Sequence, residues 1–169
     1  MAKVTEIYNF RAVEDALSTS GQPTEDQLRA LAAAGYEVII NLALHDDPRY
    51  SLPDEKGLVE SLRMAYIHIP VQFHEPNEDG LLAFFDAIER HKYKKVHIHC
   101  AANMRVTAFF GLYRILKQGK PKGEAFEPMA SVWEPNEVWA SFIAKVCIKY
   151  AAQQGASGDG STATRFPVG

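Results

Sequence analysis

Cysteine is scarce in this sequence: Cys100 and Cys147 are the two in 169 residues. Two thiols make no disulfide framework, and their scarcity fits a reducing compartment, so a cytoplasmic location is expected. No Cys and His spacing matches a zinc site, and His97 with His99 on one short alternating run does not make one. No metal and no cofactor is therefore expected. No apolar run is long enough to span a bilayer, and residues 1–6 lack a hydrophobic signal region, so no membrane partner is expected. Lys and Arg form no runs and the formal net charge is −3, which argues against nucleic acid. Repeats are absent, and so is a linker before residue 151. These absences leave one globular domain over 1–152. The Gly, Ser, Ala and Thr-rich stretch 153–169 is expected to be a mobile tail.

What is present alternates. Residues 7–13 read as a short edge strand or lead-in, and 17–23 as a small-residue turn. Thr24 then begins a helix with Gln27 at capping-box spacing, and Gly35 stands where a helix ends. The Val-Ile-Ile run in 36–42 reads as a strand covered on both faces. A polar loop with two prolines covers 45–53. Helical spacing resumes over 54–64, a β-rich run follows over 65–71, and Asn77 is placed to cap a helix carrying Leu81, Phe84, Phe85 and Ile88. A third buried strand is expected over 95–99. Helices follow through Val106 to Leu116, from Pro121, and from Trp139 to Tyr150. Alternating strands and helices predict an α/β three-layer sandwich with a mostly parallel four- or five-stranded sheet. In such sheets ligands sit at the carboxyl ends of the strands, so loops 44–53, 72–77 and 100–104 should converge.

The most informative stretch is His99-Cys100-Ala101-Ala102-Asn103-Met104-Arg105. A strand turning sharply into a helix aims backbone N–H groups at one point and makes an anion site. The same field favours a thiolate. An arginine in the first helical turn fits a bound anion, because cations are otherwise unfavourable there. Cys147 lies beside an apolar helical stripe and reads as structural.

The runs Thr19-Ser20-Gly21-Gln22-Pro23, Val38-Ile39-Ile40-Asn41-Leu42, Ile69-Pro70-Val71 and His99-Cys100 with a following Arg resemble bacterial phosphatases related to the dual-specificity protein tyrosine phosphatases. The resemblance spans about residues 10–145. It implies a dual-specificity phosphatase-like fold and metal-independent hydrolysis of phosphotyrosine or other phosphate monoesters through a cysteinyl-phosphate. It implies Cys100 as nucleophile, Arg105 as the phosphate-binding arginine and His99 as support for the thiolate. Ala101, Ala102, Asn103, Met104, Val106 and Thr107 would line the phosphate. A phosphorylated protein or a small phosphate ester would be the partner. Two departures stand out. Four residues separate Cys100 from Arg105, one fewer than in the family, and none is glycine. Asn103 is the residue type best able to take positive φ in its place. The family's general acid position falls near Phe73, which carries no proton to donate. Glu75, His74, Asp79, Asp46 and Asp47 are the nearby candidates. The shortened loop keeps two alternatives open: a non-catalytic phosphate-binding pseudophosphatase module, and a rhodanese-like sulfurtransferase with a persulfide on Cys100.

Overall fold

The computed structural model describes residues 2–158. The chain divides into two compact units, Met1–Val106 and the part from Thr107 onward.

The first unit is built on a five-stranded sheet. Its strands are β1 (Arg11–Glu14), β2 (Leu17–Ser20), β3 (Val38–Asn41), β4 (Ala65–His68) and β5 (Val96–His99), in the order β1-β2-β5-β3-β4. β1 runs antiparallel to β2, and the other neighbours are parallel. β5 lies in the centre, pairing Ser20 with His99 on one side and Asn41 with His99 on the other. Its position explains the unbroken Val96-His97-Ile98-His99 burial, since a central strand is covered on both faces. The helices α1 (Glu25–Ala33), α2 (Glu55–Ser61) and α3 (Glu78–Arg90) connect the strands. Thr24 and Gln27 form the expected capping box on α1, and Gly35 takes φ 91° just past its end. Leu28 and Leu31 of α1, Val59 of α2 and Ile39 of β3 share one apolar cluster with Ile7 and Met64. Asn77 caps α3 as its spacing predicts.

Residues 17–20, which the sequence pattern assigns to a turn, form a fully buried strand instead. Its Ser-Thr-Ser composition hides the strand, because the polar side chains are satisfied by partners distant in sequence. Ser18 and Ser20 each lie 2.7 Å from a ring nitrogen of His97, and Thr19 Oγ1 accepts from Asn103 Nδ2 at 3.0 Å.

The helix α4 (Met104–Leu116) carries the chain across the unit boundary. Two short helices, α5 (Lys122–Ala125) and α6 (Glu127–Ala130), and the long α7 (Glu137–Gly158) complete the second unit. Trp139 is fully buried there, with its ring 5.7 Å from that of Phe109. α7 runs to Gly158, so residues 153–158 continue a helix where an aperiodic tail is expected; Ala151 to Gln154 are good helix formers. The rest of the expected tail, 159–169, lies outside the described residues.

Candidate phosphate loop at the end of the central strand

The site begins where β5 ends. Cys100 is fully buried, and Asn103 turns the chain into α4 with φ 68°, the left-handed conformation expected of it. Three successive carbonyls of the loop are held from outside. Cys100 O lies 3.1 Å from His99 Nδ1, Ala101 O accepts from Gln22 N at 2.9 Å, and Ala102 O accepts from Asn9 Nδ2 at 3.0 Å. A trans peptide sets its N–H opposite its C=O. Fixing the carbonyls of Cys100 and Ala101 outward therefore aims the N–H groups of Ala101 and Ala102 the other way. Arg105 and Val106 lie in the first turn of α4, where N–H groups have no intrahelical acceptor. These N–H groups are the candidate donors to an anion.

The Ser20-Gly21-Gln22-Pro23 run backs the loop. Gly21 forms an isolated bridge with Ala102, and a Cβ built on Gly21 would sit 2.5 Å from Ala101 O. No side chain fits there, which is the physical reason for glycine.

Beneath the loop lie two buried histidines with different partners. His97 is neutral: burial, and then the charge of His99, push its pKa far below the ordinary value. Ser20 Oγ donates to Gly21 O at 2.6 Å, so it accepts from His97 Nε2–H. His97 Nδ1 then accepts from Ser18 Oγ, which in turn accepts from Tyr36 Oη at 2.8 Å. His99 Nε2 instead meets Glu55 Oε2 at 2.5 Å, and Gln22 Nε2 donates to Glu55 Oε1 at 2.9 Å. Burial pushes the Glu55 carboxyl up. The charge of His99, the hydrogen bonds from His99 and Gln22, and the charge of His68 outweigh it and leave the pKa below the ordinary value. Sequence reading passes over Glu55, which is separated from His99 by 44 positions. Its one visible signal is an acidic residue in the first turn of a helix next to a proline-rich loop.

Arg105 is 6% exposed. Its Nη1 donates to Val71 O at 2.8 Å, its guanidinium carbon lies 5.8 Å from the Phe73 ring centre, and its Nε is buried without a protein acceptor. The expected convergence of loops 72–77 and 100–104 is thus present, with Phe73 against the arginine. Loop 44–53 joins them electrostatically. Asp47 is clamped by Arg49 Nη2 at 2.6 Å and Nε at 2.9 Å. Hydrogen bonds from Arg49, with a smaller pull from the charge of Arg105, bring the Asp47 pKa to about 2. In this arrangement Asp47 is a carboxylate and can only accept. Asp46, His74, Glu75 and Asp79 are exposed, and Asp79 sits in the first turn of α3. Met104 is half-buried at the start of α4. Thr107 Oγ1 accepts from Trp133 Nε1 at 3.2 Å. Cys147 is half-buried, and burial raises its pKa. Among the described residues no group of three or more His, Cys, Asp or Glu is placed to hold a metal, and no helix is long and apolar enough to cross a membrane.

The match to a known family defines a phosphatase class. A profile of the family described as "DSP-PTPase phosphatase fused to NAD+ Kinase" matches residues 3–134, and the chain belongs to that family. It is a protein tyrosine phosphatase-like phosphomonoesterase by family. A solved structure from Shewanella putrefaciens CN-32 described as "Putative phosphatase (DUF442)" is 32% identical, covering 87% of this chain and 96% of that one, with a TM-score of 0.77. At 20% identity Tk-PTP in its active form shares the fold, covering 82% and 95%, with a TM-score of 0.68. So does TpbA of P. aeruginosa in complex with phosphotyrosine, at 15% identity, 94% and 95% coverage and a TM-score of 0.70. No curated protein matches the chain.

Proposed function

We propose that the chain is a metal-independent cysteine phosphatase of the reducing cytoplasm, with Cys100 as nucleophile and Arg105 as the phosphate-binding arginine. The Cys100 thiolate attacks phosphorus in line, the ester oxygen leaves, and a cysteinyl-phosphate forms. Amides of Ala101, Ala102, Arg105 and Val106 and the Arg105 guanidinium hold the equatorial oxygens. Water then cleaves the S–P bond and releases phosphate and the thiolate. The observation that carries this reading is the loop itself, its carbonyls held by outside partners, with an arginine whose Nε is buried without an acceptor.

Phosphotyrosine or a similar aryl phosphate is the substrate class this site favours. Phe73 stands where the family's acid belongs, and Asp47 is held ionised by Arg49. Without a proton donor, good leaving groups lose least, since general acid catalysis is worth roughly 10²–10⁴ in rate. The phosphotyrosine bound to TpbA is in line with that choice.

One observation favours a second reading. Cys100 has no exposed surface, as in a structural thiol, and that suits a phosphate-binding module without turnover. Turnover of p-nitrophenyl phosphate without metal separates the two. Activity abolished by Cys100→Ser and mostly lost in Arg105→Lys supports the enzyme, because lysine lacks the bidentate fork. No turnover, with vanadate still bound, establishes the module instead. Thiocyanate formed from thiosulfate and cyanide would point to sulfur transfer, for which the family gives no support.

A further inference from the structure

We infer that Glu55 is a positioning residue for the Cys100 site: from the first turn of α2 it holds His99 as an imidazolium immediately before the thiol. Cys100 O is a carbonyl and can only accept, so His99 Nδ1 carries a proton toward it at 3.1 Å. The Glu55 pKa lies below the ordinary value, so Glu55 is a carboxylate; its Oε2 accepts at 2.5 Å and Nε2 carries a proton as well. A ring with two N–H groups is charged. The second oxygen of Glu55 is engaged by Gln22 Nε2 at 2.9 Å, which also favours the carboxylate over the acid.

The strand contains its own comparison. His97 and His99 lie two residues apart on β5, on the same face, and both are fully buried. His97 faces two hydroxyls and is driven neutral by burial. His99 faces a carboxylate. A buried ring without a counter-charge gives up its proton, and one with a counter-charge 2.5 Å away keeps it. Glu55 is therefore what separates the two states.

The other groups around the pair do not substitute for it. Tyr66 and His68 come from β4, Asn41 from β3, and Asp54 and Lys56 flank Glu55 on its own element; with Gln22 and Glu55 they line a cleft of about 360 Å³. Asn41 Nδ2 donates to Tyr66 Oη at 3.0 Å, and His68 Nε2 lies 2.6 Å from Ala43 O. Asp54 accepts from Gly57 N at 3.0 Å, and Lys56 pairs with Glu60. None of these is a second carboxylate at the ring. Gln22 thus has two jobs: its backbone backs the loop and its side chain holds Glu55.

The charge assignment stands apart from the proposed function, and its catalytic consequence, a more reactive Cys100, rests on it. The ring is read directly. In ¹⁵N-labelled protein at pH 8, His99 is expected to show two protonated ring nitrogens, and His97 one. A single N–H on His99 overturns the inference, whether or not the protein turns over phosphate. The consequence is read from the rate of iodoacetamide alkylation at Cys100 against pH, followed by mass spectrometry to separate it from Cys147. In Glu55→Gln alkylation of Cys100 at pH 7 is expected to slow by about tenfold. Glu55→Asp restores the wild-type rate in part by keeping the charge. An unchanged rate in folded Glu55→Gln overturns the positioning role. If that variant does not fold, the wild-type ring spectrum alone decides.

Discussion

Gly21→Ala tests the loop's construction most directly. The new Cβ would meet Ala101 O at 2.5 Å, Tyr8 Cδ2 at 2.7 Å and Ala102 Cα at 3.1 Å. The Tyr8 ring is 59% exposed and can swing aside cheaply. The backbone atoms of Ala101 and Ala102 cannot, because Ala101 O is bonded to Gln22 N and Ala102 O to Asn9 Nδ2. Relief therefore requires strand and loop to separate. Overpacking of this kind costs about 1–3 kcal/mol. Weakening the bond to Ala101 O adds about 1 kcal/mol. A total near ~3 kcal/mol lowers the melting temperature by roughly 6–12 °C in a chain of this size. The effect on turnover should be larger in proportion, since a displacement of about 1 Å in reacting groups costs on the order of 10²-fold. Thermal melts and p-nitrophenyl phosphate turnover measure the two effects, and vanadate affinity reports on the cradle independently of chemistry. A variant with wild-type melting temperature and wild-type vanadate affinity would refute the claim that Gly21 is required by close approach to the loop.

Three further outcomes are expected. His97 refuses a proton in the folded protein, whereas the unfolded chain takes one up near pH 6.5. Stability is therefore complete above that value and falls below it by about 1.4 kcal/mol per pH unit. Denaturant titrations at pH 7.5 and 5.5 measure this, and an NMR titration of His97 near its ordinary pKa would contradict it. Thr24→Ala removes a cap that accepts from Gln27 N at 3.1 Å, and should cost about 1 kcal/mol without affecting vanadate binding. Arg49→Ala should let the Asp47 carboxyl rise from about 2 toward its ordinary value of 3.8; a carbon-detected titration that leaves it near 2 would show that Arg49 is not what holds it.

Legibility from sequence followed the range of the forces involved. Caps, helix stripes and apolar strands are local, so Thr24, Asn77 and the Val38–Asn41 strand could be read directly. Asn103 was legible because one dihedral demanded a residue type. Strand β2 was not, because its Ser-Thr-Ser surface is matched by His97 and Asn103, more than seventy positions away. Glu55 escaped for the same reason. A buried charge is recognised by its partner, and no period or spacing announces one. Phe73 was placed against the site by the missing acid, while its contact with Arg105 belongs to the folded chain.

The outward carbonyls of the loop after β5 constrain how this sequence can vary. The loop's shape is written in Asn9, Gly21, Gln22 and His99, while Ala101 and Ala102 contribute little beyond backbone. Substitution tolerance should therefore be inverted around the site: generous at Ala101 and Ala102, strict at Asn9 and Gly21. A loop whose form is stored in its surroundings tolerates change in its own side chains, and a saturation library at Asn9, Gly21, Ala101 and Ala102 would show that pattern.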